Sequence, residues 1–216
     1  MVRNTGATSA TVPSSVELIT DRPVQLRGSR LARALLRLAG WQLVFDGLPA
    51  RQGVLVLYPH TSNWDFPVAI LAKWSLGLQL VFWGKDTLFR IPLFGAWLRW
   101  LGGIPVLRHA PQGQVGQMTE RLAQARQQDE FMWLGLSPEG TRRRTEGWRS
   151  GFYRAAHGAQ VPLALAFIDY PTRRIGVDCC VRLSGQAQAD MAWIAQRLSH
   201  HRGKRPDQAA PIQLLS

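Results

Sequence analysis

The chain has 216 residues, 46% of them apolar, which suffices for one well-buried core, falls slightly short of two ordinary domains and excludes a disordered polypeptide. Its net charge of +12 rests on 26 basic residues, of which only Lys73, Lys85 and Lys204 are lysines, leaving 23 arginines. Arginine's planar fork suits phosphate-rich partners such as anionic lipid headgroups, nucleic acid or acidic small molecules, and the same bias also follows from a GC-rich genome.

The first 28 residues are polar, without the apolar stretch of a secretory signal, and read as a flexible N-terminal tail over 1–28. No run approaches the ~18 apolar residues of a membrane-spanning helix. Residues 29–40 follow a helical pattern, with Leu31, Leu35 and Leu38 on one face and Arg30, Arg33 and Arg37 on another. Such a helix can lie on a membrane surface or pack on a core behind a solvated arginine face.

Seven runs of strand character follow, near 42–46, 54–58, 79–83, 104–107, 131–136, 162–168 and 175–181. Helical segments alternate with most of them, near 64–76, 92–101, 113–127, 150–157 and 187–198. This pattern predicts an α/β fold: a single domain over 29–200 with a central mixed, mostly parallel sheet of about seven strands flanked by helices. The run from Val54 to Tyr58 is apolar throughout, as in a strand covered on both faces. The segment Trp83 to Trp100 sets Trp83, Trp97 and Trp100 among Lys85, Arg90 and Arg99, a composition suited either to a membrane interface or to a core helix with a snorkelling rim. Cys179 and Cys180 are adjacent in a predicted strand and so point to opposite faces, which argues against a disulfide and fits a reducing compartment. They form neither a CxxC pair nor a metal site. Residues 201–216 read as a flexible C-terminal tail.

Two motifs carry chemistry. His60 follows Pro59 at the end of a predicted strand, where ligands bind in open α/β sheets. Asp65 lies five residues on, near the start of the next helix. A turn between them brings the carboxylate to Nδ1 and leaves Nε2 as a base; alone, the spacing is equally that of an isolated histidine and a helix-capping aspartate. The second motif is Pro138-Glu139-Gly140-Thr141-Arg142, after another strand. Glu139 can accept a hydrogen bond from a substrate hydroxyl, Gly140 permits a tight turn, and Arg142 can grip a phosphate with two parallel bonds. Alone, this is a solvated charged turn. Both motifs in order, each at a strand exit, point to acyl transfer onto a hydroxyl of a phosphate-bearing acceptor.

Ser137 is structural: Gly135-Leu136-Ser137-Pro138-Glu139 lacks the last glycine of a nucleophile elbow, and Pro138 removes an N–H that the elbow needs. His109 and His157 read as surface or packing residues, and His200 and His201 fall in the expected tail. There is no Walker motif, no G-x-G-x-x-G after a strand and no recognisable nucleic-acid module. The rival class is a basic, non-enzymatic module binding nucleic acid or an anionic membrane through charge alone.

With these motifs the chain resembles the 1-acyl-glycerol-3-phosphate acyltransferase family of glycerolipid acyltransferases over roughly residues 30 to 185. Four blocks match in order: Pro59 to Asp65; Lys85 to Arg108, with Leu88-Phe89-Arg90-Ile91-Pro92; Ser137 to Arg142; and Val161 to Phe167, preceded by Trp148-Arg149-Ser150-Gly151-Phe152. The resemblance implies His60 as general base held by Asp65, Lys85, Arg108 and Arg142 on the acceptor's phosphate, and Glu139 on its glycerol, with Gly140 and Thr141 completing the acceptor-binding set. It implies acyl-CoA or acyl carrier protein as co-substrate, no cofactor and no metal, a lysophospholipid acceptor, an anionic membrane surface as partner and no nucleic acid. The expected location is cytoplasmic, peripheral on the inner membrane. Ile104-Pro105-Val106-Leu107-Arg108 departs from the aromatic residue usual before the family's arginine, so a lyso-amino-lipid acceptor such as a lyso-ornithine lipid suits the same catalytic pair.

Overall fold

Each of the seven predicted runs forms a strand, and an eighth joins them. The computed structural model describes residues 16–106 and 111–215. Its strands are β1 (Glu17–Ile19), β2 (Gln42–Val44), β3 (Gln52–Tyr58), β4 (Leu80–Lys85), β5 (Gly103–Val106), β6 (Met132–Leu136), β7 (Leu163–Asp169) and β8 (Arg174–Arg182). They build one mixed sheet in the order β1-β8-β7-β3-β6-β4-β5, with β2 also paired to β8. Parallel pairing links β7, β3, β6, β4 and β5. The β7–β8 and β1–β8 pairs are antiparallel.

The helices are α1 (Arg30–Leu38), α2 (Asp65–Leu76), α3 (Asp86–Phe89), α4 (Phe94–Trp100), α5 (Pro111–Gln127), α6 (Gly151–Gly158) and α7 (Ala187–Leu198). They cover both faces of the sheet. Along β3, Val54, Val56 and Tyr58 point into a core with Leu122 of α5, Phe152 of α6 and Ile194 of α7. Leu55 and Leu57 point to the opposite face, where Ala72 and Leu76 of α2 and Leu36 of α1 pack. The period of two in a strand, applied to an unbroken apolar run, therefore places β3 between two helical layers. Cys179 and Cys180 are free thiols split between the same two layers.

Helix α1 starts where Ser29 accepts the Ala32 N–H on its side-chain oxygen, and it leans on α2 through Ala32 and Leu36. Arg33 adds a bond to the Ser75 carbonyl at 3.0 Å. The leucine face is not the buried one: Leu31, Leu35 and Leu38 are 71%, 45% and 86% exposed. The helix does pack on the core behind a solvated arginine face, but through Ala32 and Leu36 and not through Leu31, Leu35 and Leu38.

Both expected tails need correction. Residues 1–15 lie outside the described residues, but 16–28 are part of the domain: β1 pairs with β8, and Val24 bridges Leu48. A three-residue edge strand is too short for alternation to reveal it in a polar stretch. Residues 201–215 also pack. The His201 ring lies flat on Phe167 at 4.1 Å, Ala210 is buried, and Leu214 bridges Trp148. Main-chain hydrogen bonds hold this segment, and those leave no mark on composition.

Candidate active site

Because β3, β4, β6 and β7 run parallel, their carboxyl ends share one edge of the sheet. That edge collects His60 after β3, Ser137 and Glu139 after β6, Tyr170 after β7 and Lys85 at the end of β4. It is the edge at which an open α/β sheet presents its loops to a ligand.

His60 Nδ1 lies 3.0 Å from Asp65 Oδ2. The ring is turned off the straight line, so the buried Nδ1 makes no aligned bond, and a small ring rotation completes the pair. Catalytic hydrogen bonds are often loose before substrate arrives. Asp65 is itself fixed from several sides. Its Oδ2 accepts the Thr61 and Ser62 N–H groups at 2.9 and 2.8 Å, and its Oδ1 accepts the Tyr170 hydroxyl at 2.7 Å. Burial pushes the Asp65 carboxyl upward, but the bonds from His60, Tyr170 and Ser62 outweigh it and hold the group below the usual carboxylate range. Burial and the neighbouring Asp65 carboxylate together push the Tyr170 phenol up. Asp65 thus stays ionised where it faces Nδ1 of the imidazole.

Glu139 is engaged with main chain on both oxygens. Its side chain is buried, Oε2 accepts the His60 N–H at 2.6 Å, and Oε1 accepts the Ala210 N–H at 3.1 Å. Both oxygens accept main-chain N–H groups, so the residue braces the loop that carries His60, a role that the expectation of glycerol binding did not include. Burial raises its carboxyl from 4.5 to about 7 against the lowering effect of these two bonds.

Gly140 has φ +65°, and a Cβ there would stand 2.7 Å from Arg149 Nε, so the turn needs glycine. Thr141 follows, its hydroxyl accepting the Arg143 N–H at 3.3 Å. Arg142 is exposed just beyond. Lys85 is also exposed, on the same edge but two strands from β3, ~10 Å across at the usual strand spacing. Arg108 and His109 lie outside the described residues.

An apolar cavity of about 220 Å³ opens at this pair. His60, Asp65 and Ser137 line one end. It runs between α2 and the sheet, past Phe66, Ala69 and Gly135, to Leu43 and Val177. The α2 face along it is ~18 Å long at helical rise. Lys73 lines the same cavity, and burial lowers its ammonium pKa. Among the described residues, no group of three or more His, Cys, Asp or Glu could hold a metal.

The sequence profile of the family described as Acyltransferase matches residues 44–168, more than half of the chain. The chain belongs to the Acyltransferase family. This acyltransferase shares its fold with 1-acyl-sn-glycerophosphate (LPA) acyltransferase, PlsC, from Thermotoga maritima. The two structures align with a TM-score of 0.51 at 17% identity, over 76% of this chain and 72% of that one. No curated protein matches the sequence. Family membership makes the protein an enzyme and sets aside the non-enzymatic binding module. Among the described residues, no helix is long and apolar enough to cross a membrane.

Sequence reasoning missed three parts of the candidate site. Tyr170, in the β7–β8 turn, had no signal, because a tyrosine 105 residues from Asp65 belongs to no local motif. The role of Thr61 in the loop went unread. So did the return of residues 202–210 to the catalytic edge. The reading of residues 201–216 as a tail gave no hint of these contacts.

Proposed function

We propose that the protein transfers a fatty acyl group from acyl-CoA or acyl carrier protein to the hydroxyl of a lysophospholipid, with 1-acyl-glycerol-3-phosphate as acceptor and phosphatidic acid as product. The observation that carries this reading is the His60–Asp65 pair at the mouth of an apolar cavity. In the reaction, His60 Nε2 takes the acceptor hydroxyl proton as the oxygen attacks the thioester carbonyl. The imidazolium, stabilised by the ionised Asp65, then protonates the departing thiolate, so an ester and a free thiol leave. The acyl chain lies in the apolar space between α2 and the sheet, which places the carbonyl at the imidazole. Lys85 and Arg142, with Arg108, bind the acceptor's phosphate, and Gly140 and Thr141 shape the turn that presents Arg142. Glu139 orders the loop and leaves the acceptor to these groups.

The enzyme works as a peripheral protein on the cytoplasmic face of the inner membrane. Support comes from an apolar surface beside the cavity: Leu31, Leu35 and Leu38 of α1, then Trp74, Leu93, Trp97 and Trp100 are all exposed, and the Trp74 and Trp100 rings meet at 6.2 Å. Exposed aromatic and aliphatic groups flanked by arginine suit the headgroup layer of an anionic bilayer.

The test is thiol release from a long-chain acyl-CoA with lyso-phosphatidate and lyso-ornithine lipid as alternative acceptors. His60→Ala should lower kcat by ~10²–10⁴-fold while the thermal midpoint holds. Release with lyso-ornithine lipid alone would replace the phosphate acceptor. A folded wild type that releases no thiol with either lipid, or a fully active His60→Ala, would overturn the reading.

A further inference from the structure

The segment after α7 lies beyond the family-matched region, 44–168, yet it crosses the carboxyl ends of β7, β3 and β6. The Arg202 N–H donates to Asp169 Oδ1 at 2.8 Å, and the Arg202 carbonyl accepts the Tyr170 N–H at 2.9 Å. Gly203 passes so close that a Cβ would stand 2.3 Å from Thr61 Oγ1. The Arg205 N–H donates to that same oxygen at 3.1 Å. The Lys204 ammonium sits 5.0 Å over the Trp64 ring. At Ala210 the N–H donates to Glu139 Oε1 at 3.1 Å, and the carbonyl accepts the Tyr58 hydroxyl at 3.0 Å.

We infer that residues 202–210 form a strap that positions the catalytic histidine, with Thr61 and Gly203 as its positioning residues. The inference rests on the His60–Asp65 reading of the site. The contacts bracket His60 from both sides. Its own N–H is held by Glu139 Oε2, and the strap holds the other oxygen of that carboxylate. Its neighbour Thr61 is held by the strap through Oγ1, while the Thr61 N–H is fixed on Asp65. Thr61 is 1% exposed, so its Oγ1 is reached by the strap and not by bulk solvent. The strap touches neither imidazole nor substrate. It acts by keeping the imidazole within reach of Asp65, and a misplacement of ~1 Å in a reacting geometry can cost ~10²-fold in rate.

Thr61→Val keeps the side-chain shape and removes the acceptor, Thr61→Ser restores it, and Gly203→Ala wedges the strap off the loop. Thr119→Val on α5, whose hydroxyl only returns to the Val115 carbonyl, is the control. Two quantities are read on the full chain: steady-state constants for thiol release, and the nitrogen resonances of the His60 ring by NMR, which need no substrate. The expected result is kcat lower by ~10-fold or more in Thr61→Val and Gly203→Ala, with KM for donor and acceptor within ~2-fold. Thr61→Ser should recover wild-type kcat within ~2-fold, and the ring resonances should be displaced in the first two variants but not in Thr119→Val. Wild-type kcat and unshifted resonances in Thr61→Val would overturn the strap's role while leaving acyl transfer standing. So would a loss that Thr61→Ser fails to recover, or one that Thr119→Val equals. Displaced resonances in a protein that transfers no acyl group would uphold the strap and sink the proposed reaction instead.

Discussion

Tyr170→Phe removes one hydroxyl from the site and nothing else. Asp65 has no exposed surface, and the Tyr170 hydroxyl at 2.7 Å is the hydrogen bond that Oδ1 receives. Without it, a buried, ionised oxygen loses a charge-assisted partner, a loss of about 2 kcal/mol. For a chain of this length that lowers the thermal midpoint by ~4–8 °C. The ring's edge contact with Trp41 at 5.0 Å survives in phenylalanine, so packing should not add to the loss. The carboxylate remains tethered through Oδ2 by Thr61 and Ser62 but can rotate about that anchor, which spoils the approach to His60 Nδ1. We expect kcat to fall ~10-fold, equivalent to about 1.4 kcal/mol of barrier, with both KM values held.

The pH dependence of that variant follows with a definite sign. Tyr170 is one of the groups holding the Asp65 carboxyl low. A depressed carboxyl stabilises the fold above its unfolded pKa, and that stability is lost as pH falls through the folded pKa. Removing the donor brings the folded pKa closer to the unfolded one, so less stability is lost on acidification in Tyr170→Phe, and its deficit against wild type should shrink as pH falls through the acid range. Denaturant midpoints across the acid range, together with steady-state kinetics at neutral pH, check both parts. A variant with wild-type thermal midpoint and wild-type kcat would refute the claim that Tyr170 orients Asp65.

Glu139 works in the opposite direction on pH. Its carboxyl is raised from 4.5 to about 7 by burial, so it contributes stability below its unfolded pKa that is lost as pH rises through about 7. The contribution is roughly 3 kcal/mol. Urea midpoints for wild type should therefore carry a downward component between about pH 5 and about pH 8 that Glu139→Gln lacks, and an unchanged pH slope in the variant would contradict the assignment. On the membrane side, the protein should co-sediment with anionic vesicles at low salt and release as salt rises, each basic side chain near the surface contributing ~1 kcal/mol. Trp97→Ala with Trp100→Ala should weaken binding further; a protein that stays in the supernatant at low salt would show that the exposed apolar face does not dock on a bilayer.

The alternation of apolar runs was legible from the sequence, and with it the layered α/β architecture, because strand and helix periodicities are local properties that each segment carries in its own residues. The nearness of His60 and Asp65 was legible because five residues of one loop cannot separate the two groups far, whereas the 3.0 Å contact itself depends on Thr61, Ser62 and Tyr170 seating the Asp65 carboxylate. Tertiary structure decided the rest. Which face of α1 is buried depended on Ala32 and Leu36 meeting α2, a choice that the stripe of Leu31, Leu35 and Leu38 left open between a membrane surface and the core. Glu139 read as a free carboxylate because its partners, the N–H groups of His60 and Ala210, lie 79 and 71 residues away. Tyr170 and the 202–210 strap reach the site through loop-to-loop hydrogen bonds. The strap's donors are main-chain N–H groups that any residue but proline supplies, and the Tyr170 hydroxyl meets a carboxylate 105 residues away; neither imposes a periodicity, so these bonds exist only once the sheet has brought its carboxyl ends together.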